Sequence, residues 1–318
     1  MRAAGRFAEA ERACRHALGG YEAVRGPRHP DVAGALVELG LILEARDRLR
    51  DAARCHRRAL DLVPTGTRDG ELARLALRAR VALAGIDRAL GAYDEAGRAY
   101  AAALRDARRR FGPRDPMVAG ILNNLGVLRK AEGRYEEAAV MYRRAVERLA
   151  PRDRAARATL AHNLGGIEHA RGRFAHAEPH ARRAVELRKA LHGTSHPAVA
   201  ADQVALAGLA AAEQQRGRFA TARRAYLEAL DIQEALLGGR HVDVAMTVNN
   251  LAVLERDDGD LDRAEALFRR ASATFCVCLG EAHPHSLLAE ANRRAVHAER
   301  TRPERRPDRL KPTRATRR

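Results

Sequence analysis

The sequence predicts an all-α fold, an α-solenoid of stacked antiparallel helix pairs, from its composition, an internal repeat and the lack of strand patterns. The chain has 318 residues, of which 46% are hydrophobic but only 4% are aromatic, and it has no Trp. Many hydrophobic residues are Ala and Leu, which have high helix propensity, and Ala lets helices approach closely. No run alternates in the manner of a strand. The length suggests about two domains, but the repeat predicts one elongated array.

A short motif recurs seven times and sets the period of the repeat. It consists of a turn residue, an aromatic residue or Leu two positions later, and Ala three positions after that. Successive copies are 42, 44, 42, 39, 45 and 42 residues apart. The turn residue predicts a sharp bend between two helices, where a positive φ angle is often needed. In the seven copies it is Gly5, Asp47, Gly91, Gly133, Gly172, Gly217 and Gly259.

Two further markers lie between these motifs. One is His or Asp, usually followed by Pro, which starts a helix because its missing N–H costs nothing there. It begins at His29, Asp115, His196, His241 and His283. The other ends in Leu-Gly or Leu-Ala, whose small residue lets a neighbouring helix approach. Its copies are Glu38-Leu39-Gly40, Asn123-Asn124-Leu125-Gly126, His162-Asn163-Leu164-Gly165 and Asn249-Asn250-Leu251-Ala252.

The markers predict helix pairs. The first helix of each pair begins at about residue 32, 71, 117, 155, 198, 243 or 285, and the second helix at about 48, 92, 134, 173, 218 or 260. A helix at about 6–24, of the second type, precedes them. Bulky residues such as Tyr100, Tyr142, Tyr226 and Phe268 lie between two Ala of each second helix and are expected to fill the gap between layers. Residues 1–298 then form about six full repeats with a half repeat at each end. Because the chain opens in mid-repeat, we expect further repeats or another protomer to cover that end.

This pattern resembles the tetratricopeptide repeat, most closely the 42-residue variety of kinesin light chains. The three markers carry the resemblance over about residues 5–298. Two copies depart from it: residues 65–70 lack the His-Pro marker, and Arg152-Asp153-Arg154 stands in its place in another. The resemblance implies a right-handed superhelix whose concave groove is lined by the first helices. It also implies that the chain is a scaffold or adaptor that binds a protein or peptide segment in that groove.

The resemblance places seven candidate binding residues in the groove. Asn offers both a donor and an acceptor, which suits the backbone of an extended peptide. The alternative for the Asn that follows (Asn124, Asn163 and Asn250) is that it only bonds neighbouring repeats. The candidate residues are Asn123, Val127, Lys130, His162, Asn249, Val253 and Arg256.

No residue pattern predicts catalysis or a cofactor. Phosphate-loop, dinucleotide-binding, nucleophile-elbow and HExxH motifs are missing from the sequence. Cys276, Cys278, His283 and His285 are four potential metal ligands within ten residues. Zinc sites usually separate paired ligands by two to four residues, and Cys276 and Cys278 point apart on a helix, so we expect no metal site. The chain is thus predicted not to be an enzyme.

The chain is strongly basic, with 58 Lys+Arg against 41 Asp+Glu and a formal net charge of +17. Residues 299–318 carry nine basic and three acidic side chains, or +6, and are predicted to be a disordered basic tail. Such a tail favours weak binding to nucleic acid or an acidic surface, and a nucleic-acid-associated regulator is one alternative function. A sensor fragment of a larger signalling protein is another. No run of about 20 apolar residues and no signal peptide is present, so we expect a cytoplasmic location.

Overall fold

The structure is a computed structural model that describes residues 2–212 and 216–301. Within these ranges it contains fourteen α-helices and no strand, which confirms the predicted all-α solenoid. The helix contacts divide the chain into two compact units, Met1–Ala212 and Glu213–Arg318. The helices are α1 (Arg2–Arg25), α2 (Asp31–Ala45), α3 (Leu49–Leu62), α4 (Gly70–Ala89), α5 (Tyr93–Phe111), α6 (Pro116–Ala131), α7 (Tyr135–Val146), α8 (Arg154–Ala170), α9 (Phe174–His192), α10 (Pro197–Ala212), α11 (Arg216–Leu237), α12 (Val242–Asp258), α13 (Leu261–Leu279) and α14 (Pro284–Arg300).

The predicted turn residues bend the chain where the sequence places them. Gly133, between α6 and α7, has a φ angle of 74°, a conformation that costs glycine little. Asp47, the substitute for Gly between α2 and α3, takes the same left-handed region with φ 58°. At helix starts, the Asp115 carboxylate accepts a hydrogen bond from the backbone N–H of Met117 at 2.9 Å, and His283 accepts one from His285 at 3.2 Å. These caps satisfy N–H groups that a helix start leaves unpaired.

The first unit, α1 to α10, is a stack in which each helix packs on the next along the chain. The first helices α2, α4, α6, α8 and α10 also contact one another in succession. No comparable contact joins successive second helices in the described part of this unit. Because the first helices approach each other more closely, they line the inner side of the stack.

Within each pair, the small residue of the first helix faces the middle of the second helix. A Cβ atom added to Gly126 on α6 would lie 2.4 Å from Cε1 of Tyr142 on α7, whose side chain is 1% exposed. On α9 the same register position holds Ala181, and a Cβ at Gly165 on α8 would lie 3.3 Å from its backbone nitrogen. The predicted gap-filling residues are buried: Tyr100, Tyr142, Tyr226 and Phe268.

The second unit contains α11 to α14, which also pack in sequence. Phe268 of α13 is buried with Ala252 of α12 and Val296 of α14. Glu255 on α12 is fully buried and accepts hydrogen bonds from Nε of Arg223 on α11, at 2.8 and 3.1 Å. A buried carboxylate needs such a charged partner to offset the loss of water.

Two predicted turn glycines lie inside helices instead. Gly5 belongs to α1 and Gly217 to α11; the Ala-rich stretch that contains Gly5 has high helix propensity, which explains the earlier start of α1. Glu299 and Arg300, assigned above to the tail, belong to α14. The remaining tail residues 302–318 lie outside the described residues. No helix in the described ranges is long and apolar enough to cross a membrane.

Candidate functional site

The inner side of the first unit carries a groove between consecutive first helices. One cavity of about 380 Å³ lies between α2, α4 and α6, and includes Asn124 and Val127 in its lining. A second, of about 500 Å³, follows the N-terminal halves of α4 and α6. A third, of about 440 Å³, lies between α6 and α8. Asn123 lines the second and third and Asn124 the first and second, so the three cavities join into what we call the first-helix groove.

Hydrogen bonds link Asn123 and Asn124, which line this groove, to a third Asn side chain on α8. Nδ2 of Asn163 on α8 donates to Oδ1 of Asn123 on α6 at 2.7 Å, across 40 residues of sequence. Nδ2 of Asn123 in turn donates to Oδ1 of Asn124 at 3.4 Å. The bond between repeats fixes the Asn123 amide, while Asn124 keeps its amide NH₂ and Asn163 its carbonyl oxygen for further bonds. Asn123 therefore links two neighbouring repeats and also lines the groove.

His162 lies one position before Asn163 and is held by a buried carboxylate. Its Nδ1 lies 2.7 Å from Oδ1 of Asp202 on α10, which is only 2% exposed. Oδ2 of the same carboxylate accepts a hydrogen bond from Nε of Arg188 at 2.6 Å. Because Nδ1 is already bonded to Asp202, Nε2 is the ring nitrogen that can form a hydrogen bond with a binding partner.

Val127 and Lys130 follow Asn123 along the same face of α6. Val127 is half-buried and packs against the core while it lines the groove. Lys130 is exposed, and its Nζ would lie 3.5 Å from a Cβ at Gly166 on α8. The structure thus brings the first four predicted residues, Asn123, Val127, Lys130 and His162, to one face of the first unit.

The groove also contains charged residues of α4 that the sequence analysis missed. Arg74 donates to the two carboxylate oxygens of Asp115 at 3.1 and 2.7 Å, and this contact lowers the pKa of Asp115. Arg78 donates to Glu38 at 2.7 Å. Arg88 also lines the groove, beside Tyr100. Burial raises the pKa of Tyr100, and the positive charge of Arg88 offsets part of this rise. The 42-residue period of the repeat could have revealed Arg88, because it stands 42 residues before the predicted groove residue Lys130.

The other three predicted residues lie on α12 in the second unit. Oδ1 of Asn249 is buried and has no hydrogen-bond partner among the described residues. Val253 packs against the cluster that contains Phe268. Arg256 is bonded to its neighbour, with Nε and Nη2 donating to Oδ1 of Asp257 at 3.0 and 2.8 Å. Their role as binding residues stays a prediction.

The four potential metal ligands near the end of α13 are spread over separate contacts. Sγ of Cys278 is 3.4 Å from the carbonyl oxygen of Arg240, and Nδ1 of His283 caps α14. In residues 2–212 and 216–301, no group of three or more His, Cys, Asp or Glu side chains is arranged to hold a metal ion.

Family models match most of the chain. A tetratricopeptide repeat model matches residues 1–65, 75–150 and 202–276, and a second tetratricopeptide repeat model matches residues 157–198. The chain therefore belongs to the tetratricopeptide repeat family, which confirms the resemblance drawn from the markers. No curated protein matches the chain at a significant level.

Solved structures with the same fold include kinesin-light-chain-like proteins. BtubC (BKLC) from P. vanneervenii is 25% identical, covers 75% of this chain and 92% of its own, and superposes with a TM-score of 0.61. A putative kinesin light chain with nearly identical repeats from Podosopora anserina is 20% identical, covers 64% and 96%, and has a TM-score of 0.55. A Rap protein complexed with competence and sporulation factor is 16% identical, covers 93% and 71%, and has a TM-score of 0.57. At these identities the last two support the fold alone.

Proposed function

We propose that the chain is a non-catalytic scaffold or adaptor that binds a peptide or protein segment in the first-helix groove. The observation that carries this proposal is the run of three joined cavities along α2, α4, α6 and α8, with Asn123 and Asn124 at their junction. Solenoids of stacked repeats use such extended inner surfaces for binding.

The groove suits an extended segment better than a small molecule. Its cavities are open and follow one another along the helices, and polar amides alternate with the side chains of Val81 and Val127. The Asn124 NH₂ and the Asn163 carbonyl oxygen can pair with a peptide C=O and N–H, respectively. Lys130 and His162 are part of the proposed binding surface. We also propose that Asn249, Val253 and Arg256 on α12 bind a partner segment.

The test is selection of binding peptides from a display library, followed by titration against two groove variants. Asn124→Ala removes an amide that is free to meet the peptide, and we expect affinity to fall about three- to tenfold, the effect of one hydrogen bond. Ala82→Leu fills the first cavity from α4 and should lower affinity further. Ala102→Leu, on an exposed position of α5, is the matched control.

Circular dichroism establishes that each variant is folded before binding is compared. Selected peptides that bind all variants equally well would place the binding surface elsewhere. A library that yields no specific peptide would contradict the proposal of a peptide-binding groove.

A further inference from the structure

The turn between α7 and α8 and the helix ends beside it carry an excess of positive charge. Residues 143–157 contain six arginines against Glu147 and Asp153, a net charge of +4. Nearby arginines are paired, as Arg129 is with Glu132 and Arg171 with Glu168. Asp153 instead accepts a hydrogen bond from the backbone N–H of Ala150 at 2.9 Å. In the described part of the chain, no ion pair involves the six, which are Arg143, Arg144, Arg148, Arg152, Arg154 and Arg157.

Two of these arginines stand at the rim of the apolar cavity between α6 and α8. Arg152 and Arg154 line this cavity of about 440 Å³, which we call the α6–α8 pocket. Its apolar lining includes Ala119, Leu149 and Leu160, which the fold buries. The volume falls in the range of ligand pockets, roughly 300–1,000 Å³.

At two positions the lining of the pocket has small or compact residues where the preceding first helix has long side chains. Gly120 and Pro116 on α6 stand 42 residues after Arg78 and Arg74, whose long side chains occupy the same positions on α4. A Cβ added to Gly120 would meet nothing within 4 Å. The rim is also particular to this repeat, because Arg152-Asp153-Arg154 stands where most other repeats have His or Asp, usually followed by Pro.

We propose that the α6–α8 pocket receives a bulky apolar side chain of a partner segment, and that Arg152 and Arg154 contact acidic residues beside it. The inference rests on the proposed function, since the pocket opens beside Asn123 in the first-helix groove. The apolar lining favours a peptide over a nucleic acid, because none of the described residues that line the pocket is an aromatic residue that could stack on a base. The unpaired arginines select acidic neighbours by charge complementarity and speed their approach.

The test uses three labelled probes and measures affinity by fluorescence anisotropy. The first is a short acidic peptide with one central Phe between Asp and Glu residues, the second has Ala in place of Phe, and the third is a single-stranded oligonucleotide of equal charge. We expect the Phe peptide to bind roughly tenfold or more tightly than the Ala peptide, because only Phe buries a large apolar surface. Its affinity should fall as salt rises.

Two pairs of variants assign the binding to the pocket. Gly120→Leu fills the pocket from a helical position with open space around it and should abolish the difference between the Phe and Ala peptides. Gly34→Leu is its control, because Gly34 lies six residues before Gly40 as Gly120 does before Gly126, and a Cβ there also meets nothing within 4 Å. Arg152→Glu/Arg154→Glu should weaken the acidic peptide about tenfold or more. Arg50→Glu/Arg57→Glu makes the same charge change on exposed α3 positions and should have little effect.

Three outcomes would overturn the inference. They are equal binding of the Phe and Ala peptides, unchanged binding by Gly120→Leu, or equal binding of the oligonucleotide, which would reveal a general polyanion surface. The library peptides separate this failure from failure of the proposed function. If those peptides are weakened by Asn124→Ala and Ala82→Leu but not by Gly120→Leu, the groove stands and the pocket assignment is wrong.

Discussion

The helix pairs α6–α7 and α8–α9 have the same register but solve the packing between first and second helix differently. In α6–α7, Gly126 makes room for the ring of Tyr142, which is almost completely buried. In α8–α9, Ala181 stands in place of the ring, and Gly165 lies against the α9 backbone itself. One small residue therefore has two uses in this fold: it accommodates an aromatic side chain, or it lets two helix backbones approach.

The largest effect expected from this difference is that of removing the ring. Tyr142→Ala leaves a cavity in the α6–α7 core, and truncation of a buried aromatic residue of this kind costs about 3–5 kcal/mol. The measurement is the free energy of unfolding in urea, followed by circular dichroism. A loss under about 1 kcal/mol would mean that α6 and α7 can close on each other as α8 and α9 do.

The next effect distinguishes the two glycines. Gly126→Ala places a Cβ against a buried ring and should cost about 2–3 kcal/mol, the upper part of the range for overpacked cores. Gly165→Ala needs a shift of only a few tenths of an ångström, and the better helix propensity of Ala, about 1 kcal/mol, offsets part of the cost. We expect its net loss to be under about 1 kcal/mol, measured by the same urea unfolding.

A double-mutant cycle provides the control for the glycine comparison. In the Tyr142→Ala background the obstacle to a Cβ at position 126 is gone, so Gly126→Ala should then cost little. Equal costs for Gly126→Ala in both backgrounds would show that the helix backbone, rather than the ring, sets the requirement for glycine.

The repeat predicted most of the fold because its markers act locally. Turn residues such as Gly133 and Asp47, and caps such as Asp115, fix where helices begin and end, and α2 to α10 begin within about one residue of the predicted positions. The buried position of Tyr142 followed from the same pattern. These features depend on neighbours within a few residues, so the sequence displays them directly.

The groove was only partly predictable because its polar contacts join distant residues. The resemblance to the tetratricopeptide repeat implied that Asn123 and His162 lie in the groove, but it did not reveal that Asn163 bonds Asn123 or that Asp202 holds His162. Those pairs depend on how side chains of successive first helices meet across about 40 residues of sequence. The α6–α8 pocket was missed for a related reason, since its lining residues on α6 and α8 form no recognisable sequence motif.

An effect smaller than that of Tyr142→Ala or Gly126→Ala is expected at alkaline pH. Burial raises the pKa of Tyr142 to about 12, against an ordinary value of 10.0, and nearby Arg88 lowers it in part. Above pH 10 the unfolded chain ionises this hydroxyl while the folded chain keeps its proton. The contribution of this group to the free energy of unfolding is therefore present in full below pH 10 and is lost as the pH rises towards 12. Two pKa units correspond to at most about 2.7 kcal/mol, and we expect about 2 kcal/mol.

Tyr142→Phe removes the titrating group while it keeps the ring that Gly126 accommodates. Urea unfolding between pH 9 and 12 should therefore show a smaller loss of stability for this variant than for the natural chain. The α8–α9 pair contributes no such dependence, because Ala181 has nothing to ionise at the same position. If the two chains lose stability in parallel over this range, the Tyr142 hydroxyl has access to water and the α6–α7 pair is less tightly closed over its ring than the packing indicates.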